Sequence, residues 1–198
     1  MAKSKSNAFK NISVLFVVAL ISVALLAVLN QVTMGKIADA EAQARNEVYQ
    51  SVFSDASAFE EQKFDFKPED ETIVINTVLQ ANSSDKQKLG YVFDVTSKNG
   101  YGGDVQIAVG ITNEGKVTAF KVIAASETPG LGAKSMEDEY ASQFSDLSAL
   151  SHIEFSKTGA NRDNNEIDAI SGATITTTAT TNAVNAAIDM WNSQLKGE

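Results

Sequence analysis

The chain has 198 residues, 43% of them hydrophobic, no cysteine and a formal net charge of −9. That hydrophobic share suffices for the core of one ordinary domain plus an anchor, while the missing thiols exclude disulfides, thiolate metal sites, a cysteine nucleophile and cysteine-ligated iron–sulfur clusters within this chain. Lys3, Lys5 and Lys10 fall in the first eleven residues without an acid, so beyond them 13 basic residues stand against 25 acidic ones, a balance that argues against nucleic-acid binding.

In chain order, residues 1–11 form a short polar, basic segment. Ile12 to Leu29 follows without a charge, with only Ser13 and Ser22 polar. As a helix this run spans about 27 Å, close to a bilayer core of about 30 Å. A cleaved signal peptide is the competing reading. Its apolar region is shorter, about 7–15 residues, with a small-residue site soon after. Here Asn30 to Met34 offers no such site, and Ala38-Asp39-Ala40 lies far downstream, so an uncleaved anchor over 12–30 is expected. Three lysines precede the helix, and only Lys36 follows closely, ahead of Asp39 and Glu41. Positive flanks stay cytoplasmic, which predicts a single-pass protein of the cell membrane. Its N-terminus is then cytoplasmic, and a domain over 31–198 is extracytoplasmic.

Lys36 to Phe53 reads as a helix continuing the anchor as a stalk, with Ile37, Ala40, Ala44, Val48 and Val52 recurring every three or four residues. Ser54 to Asp70 reads as a loop, or a helix and then a loop, in which Phe59, Phe64 and Phe66 plug the core and Pro68 punctuates. Thr72–Gln80 and Leu89–Thr96 read as strands. Asn99 to Gly103 is a glycine-dense turn, either a hairpin connection or part of a site. Asp104–Ile111 and Lys116–Ala124 flank the short turn Asn113-Glu114-Gly115, which implies an antiparallel pair. Met136–Phe144 reads as a helix. Its acids Glu137, Asp138 and Glu139 suit a helix start better than a calcium site. His152, the single histidine, reads as structural. Ile153–Phe155 is a short strand, Thr158–Glu166 a polar loop, and the last seven residues a tail. The fold class expected is α+β: a membrane helix, then one globular domain with a largely antiparallel sheet flanked by helices.

Two stretches carry chemistry. Asp168-Ala169-Ile170-Ser171-Gly172-Ala173-Thr174 is followed by Thr176, Thr177, Thr178, Thr180 and Thr181. A helical pattern then places Ala183, Ala187 and Trp191 on one face, with Val184 and Ile188 beside them. A helix start offers unpaired N–H groups and partial positive charge, suited to a phosphate. By itself, a hydroxyl-rich turn ahead of a helix is more often a cap than a ligand site. The second stretch is Ser126-Glu127-Thr128-Pro129-Gly130-Leu131-Gly132-Ala133-Lys134, a strand-to-helix loop whose glycines leave backbone accessible.

Together these motifs resemble the FMN-binding domain of the G subunit of the Rnf electron-transport complex. The C subunit of the sodium-translocating NADH:quinone reductase is a close relative. Tyr101-Gly102-Gly103 and the strand-turn-strand after it add to the likeness, which covers residues 89–191 and the membrane helix. The resemblance implies covalent FMN, held by a phosphoester on Thr174. Ser171, Gly172 and Ala173 would wrap the phosphate, Thr176 and Thr177 would add hydroxyl contacts, and Glu127, Thr128, Gly130, Leu131 and Gly132 would border the flavin ring. Asp168 orients the turn, serves recognition by a flavin transferase, or binds that reaction's metal. No catalytic residue and no resident metal are implied. The implied function is an electron relay in a complex coupling ferredoxin oxidation and NAD⁺ reduction to Na⁺ or H⁺ translocation. The chain would be one redox subunit of that translocase rather than a complete enzyme, with other membrane subunits as partners. The alternatives are a quinone-reductase C-type subunit, a stand-alone extracytoplasmic flavoprotein, or an anchored scaffold without cofactor.

Overall fold

The computed structural model describes residues 2–197. Within them, side chains are described except at 2–9, 11, 37–39 and 41. Lys3, Lys5, Ile37, Asp39 and Glu41, which carry part of the orientation and stalk patterns, therefore lie outside the described side chains. The chain divides into two units, Met1–Arg45 and Asn46–Glu198.

The first unit is helical, the greater part of a helix α1 that runs Ala2–Val52. Its segment Ile12–Lys36 is 25 residues with a mean hydropathy of 3.1 and is not buried against protein. At about 1.5 Å per residue it exceeds the hydrocarbon core of a bilayer. An apolar helix of that length with no protein around it fits a membrane anchor. The helix over 36–53 expected from the apolar spacing is present as the end of α1.

In the second unit β1 (Ala58–Gln62), β2 (Ile73–Asn82), β3 (Lys88–Ser97), β4 (Val105–Thr112) and β5 (Val117–Ala125) form an antiparallel meander in that order. Side chains alternate between its faces. Tyr91, Phe93, Val95, Val105, Ile107, Val109 and Ile111 enter the main core under α3 (Thr174–Met190). Ala81, Val92 and Ala108 point the other way, against Tyr49, Val52 and Phe53 at the end of α1. That second face is floored with small residues because the helix end comes close. At Gly110 a Cβ would stand 2.8 Å from the Val52 carbonyl oxygen. The Tyr49 hydroxyl donates to Asp94 Oδ2 at 2.6 Å, and Asp94 Oδ1 accepts from the Asn76 and Gln106 amides at 2.8 and 2.7 Å.

Three expectations are corrected. Ser54–Asp70 holds the edge strand β1, whose polar sequence Ala-Phe-Glu-Glu-Gln lacks the apolar alternation of a half-buried strand. Phe59, Phe64 and Phe66 are half-buried against the two cores. Met136–Phe144 is no continuous helix. It is broken into the short α2 (Asp138–Ala141) between two 3₁₀ turns, because Glu137 is extended, at φ −80° and ψ 145°, and interrupts the helical run. Its acid Asp138 pairs with Lys121 on β5 at 2.5 Å, which holds that carboxyl below its usual range through the hydrogen bond and the charge. The C-terminus is no tail: a π-helical turn, Trp191–Leu195, extends α3. It is fastened by Asn192 donating to the Ala149 carbonyl oxygen at 2.7 Å.

Candidate functional site

The chain leaves β5 at Ala125 and enters a tight turn. The Thr128 carbonyl accepts from Leu131 N at 3.1 Å, with Pro129 second and Gly130 third at φ +76°. Proline supplies a fixed φ and glycine the left-handed residue that such a turn requires. Further along the chain the same device recurs. β6 (Glu154–Ser156) and β7 (Glu166–Asp168) pair in parallel, and the chain then turns at Ile170–Ala173. There the Ile170 carbonyl accepts from Ala173 N at 3.0 Å, and Gly172 is third, again at φ +76°. The second turn delivers Thr174 as the first residue of α3.

The two turns face each other across a pocket of about 430 Å³. Its wall takes Glu127, Thr128, Leu131 and Gly132 from the first motif and Gly172, Ala173, Thr174 and Thr176 from the second. Tyr101 from the glycine-dense turn and Ile175 from α3 complete it. Both are strongly exposed at the rim, Tyr101 at 69% and Ile175 at 52%.

Glu127 holds these pieces together. It is only 8% exposed. Its Oε1 accepts from Gly102 N at 3.3 Å and its Oε2 from the Thr176 hydroxyl at 2.9 Å. One carboxylate thus joins the glycine-dense turn, the loop after β5 and the first turn of α3. Gly132 packs directly on that junction, where a Cβ would run into the carboxylate and the Thr176 hydroxyl. The threonine run continues inward. Thr177 Oγ1 accepts from Ile170 N and donates to the Ala173 carbonyl, each at 3.1 Å, so it braces the turn from behind. Thr180 Oγ1 lies 2.8 Å from the Tyr140 hydroxyl, whose pKa burial pushes up to about 12.

Thr174 differs from its neighbours. It is half-buried, and its hydroxyl makes no hydrogen bond among the described residues. The backbone N–H groups of Thr174, Ile175 and Thr176 have no intrahelical acceptor, the first such bond being Thr177 N to the Ala173 carbonyl at 3.0 Å. An anion brought to Thr174 therefore meets unpaired donors and the positive end of a 17-residue helix.

The remaining expected residues lie around this centre. Gly130 shapes the turn without lining the pocket, and Thr177 is buried beneath it. Ser171 faces a neighbouring polar cleft of about 480 Å³, shared with Lys134, Arg162 and Asp168. Asp168 is bonded within the approach to the turn: its Oδ1 accepts from Ala160 N at 2.7 Å, and its N donates to Gln143 Oε1 at 2.6 Å. His152 lies away from the pocket wall, bonded to Asp189 at 2.6 Å, a partner the sequence did not suggest. The contact that sequence reasoning missed is the Glu127–Thr176 bond. Its only linear signal is an acid ahead of Thr-Pro-Gly.

The pocket suits a flat aromatic ring bearing a phosphate. Its volume is within the range of about 300–1,000 Å³ typical of small-molecule sites. Apolar Leu131, Ala173, Ile175 and Tyr101 flank the space, polar groups are few, and the helix start waits at one edge.

Comparison with known proteins adds two family models, two relatives and one solved structure. The model of the FMN-binding domain family matches residues 100–189, and that of the RnfG N-terminal region matches residues 1–52. The G subunit of the Na⁺-translocating ferredoxin:NAD⁺ oxidoreductase complex of Acetobacterium woodii is 30% identical, over 95% of this chain and 93% of its own. The G subunit of the proton-translocating ferredoxin:NAD⁺ oxidoreductase complex of Clostridium ljungdahlii is 31% identical, over 96% of this chain and 95% of its own. Among solved structures, Shewanella oneidensis NqrC superposes with a TM-score of 0.56 at 17% identity, over 72% of this chain and 70% of its own, and shares the fold.

Proposed function

The chain belongs to the family of G subunits of ion-translocating ferredoxin:NAD⁺ oxidoreductase complexes, and from that premise we propose that it holds its FMN covalently, as a phosphoester on Thr174. It is a membrane-anchored, FMN-binding electron-transfer subunit that works with the other subunits of an Rnf-type complex. The match of its first 52 residues to the RnfG N-terminal region favours this over a quinone-reductase C-type subunit.

One observation carries the covalent reading. The Thr174 hydroxyl is unbonded among the described residues, at the edge of the pocket where both motifs meet, on the first turn of α3. Its neighbours Thr176 and Thr177 have their hydroxyls committed to Glu127 and to the turn. A flavin transferase seeking a nucleophilic oxygen therefore finds one that no internal bond must release. When bound, FMN supplies the redox chemistry. The residues position it: Gly172 and Ala173 wrap the phosphate beside the helix start, Ser171 flanks it from the neighbouring cleft, and Thr128, Leu131 and Gly132 border the ring. Thr176 and Thr177 act as braces, and Gly130 sets the turn. Asp168 orients the approach to the turn through its bond to Ala160 N.

We assign residues 1–11 to the cytoplasm, 12–30 to the membrane and 31–198 to its outer side. A tether has a physical use there. Released FMN would be diluted without return, whereas a tethered one stays at high effective concentration. Full-length protein made with an active flavin transferase should show a fluorescent flavin band on a denaturing gel. Thr174→Ala should abolish the band and Thr174→Ser should keep it. A band persisting in Thr174→Ala would refute the assignment.

A further inference from the structure

Glu127 brings a negative charge into the pocket wall, and none of the salt bridges among the described residues answers it. Its two partners, Gly102 N–H and the Thr176 hydroxyl, are neutral donors. With 8% exposure the side chain is poorly screened by water. Thr176, from which it accepts, lies on the first turn of α3, whose start carries partial positive charge. That same helix start must also serve the phosphate, so its field is shared between two anions.

The reacting ring changes charge. One electron taken up without a proton, or two electrons with one proton, leave reduced flavin one unit more negative than oxidised flavin. A fixed anion in the pocket wall opposes that added charge and leaves the neutral oxidised ring untouched. We propose that Glu127 is the residue that sets the flavin's reduction potential low, through its charge rather than through the bonds it makes. The inference rests on the reading of this pocket as the flavin site. Its consequence is a flavin that gives up electrons readily to the next carrier of the complex.

Charge and bonding separate by substitution. Glu127→Gln removes the charge and keeps the shape. Glu127→Asp keeps the charge but shortens the reach to Gly102 and Thr176. Thr176→Val cuts one bond and leaves the charge. Full-length flavinylated protein in detergent would be titrated spectroelectrochemically without oxygen. Glu127→Gln should raise the midpoint potential, by about 59 mV for each tenfold gain in the one-electron equilibrium constant. Glu127→Asp and Thr176→Val should stay at or below the wild-type potential even where thermal stability falls. If Glu127→Gln takes up no flavin, the other two still decide, because a rise in either assigns the effect to loosened packing and overturns the proposal. Full flavin occupancy with an unmoved potential in Glu127→Gln also overturns it and leaves the flavin site standing. Wild-type protein without flavin overturns both.

Discussion

Gly130 and Gly172 each stand third in a turn of four, at the same left-handed φ. These turns were readable in the linear text, since Pro129-Gly130 and Ser171-Gly172 are local signals with local causes. The junction between them was not. Glu127 reaches Thr176 across 49 residues and Gly102 across 25, and no periodicity announces such a pair. Buried hydroxyls show the same limit. Thr180 belongs to the hydroxyl-rich run after the turn, and nothing in that run tells that it points into the core against Tyr140. Tyr140 gives a testable consequence. Burial holds its phenol neutral to about 12, against an ordinary value of 10.0. Its contribution to stability is therefore complete below pH 10 and lost as pH rises from 10 towards 12, where the unfolded chain ionises first. At about 1.4 kcal/mol per unit the loss is on the order of 2–3 kcal/mol. Urea titrations of wild type and Tyr140→Phe across that range should show the decline blunted in the variant. Parallel declines would show that Tyr140 is not its source.

Among the elements, the central strands β2 to β5 match their expected ranges closely, because apolar residues alternate and short turns separate them. β1 and β7 were harder to read: β1 is a polar edge strand, and β7 is three residues at the end of a polar stretch, whereas the short strand expected at Ile153–Phe155 is present one residue along as β6. The end of α1 was readable as a helix, but not as a cover for the second face of the sheet. That cover depends on Asp94, which is 1% exposed and satisfied by Tyr49, Asn76 and Gln106. Tyr49→Phe removes one donor and leaves a buried carboxylate oxygen short of a partner. The expected cost is about 1–3 kcal/mol, read as a lower urea midpoint for the full-length protein. A change below about 0.5 kcal/mol, the usual size for a surface substitution, would mean that the contact does not fasten the helix end.

At the scale of the whole molecule, an apolar helix precedes a domain of the FMN-binding family. The lysines before that helix predict which side of the membrane the domain occupies. The absence of native cysteine makes the test clean. Glu114 is exposed in the β4–β5 turn, and Glu114→Cys should react with an impermeant maleimide in intact cells. Labelling only after the cells are permeabilised would reverse the orientation.

The measurement closest to the central claim is peptide mass spectrometry of protein matured in its native membrane. Trypsin should release Asp163–Lys196 as one piece, since no lysine or arginine lies between Arg162 and Lys196. That peptide should weigh more by one FMN less one water, with fragmentation placing the addition on Thr174. An unmodified peptide, or an addition on Ser171 or Thr176, would contradict the account.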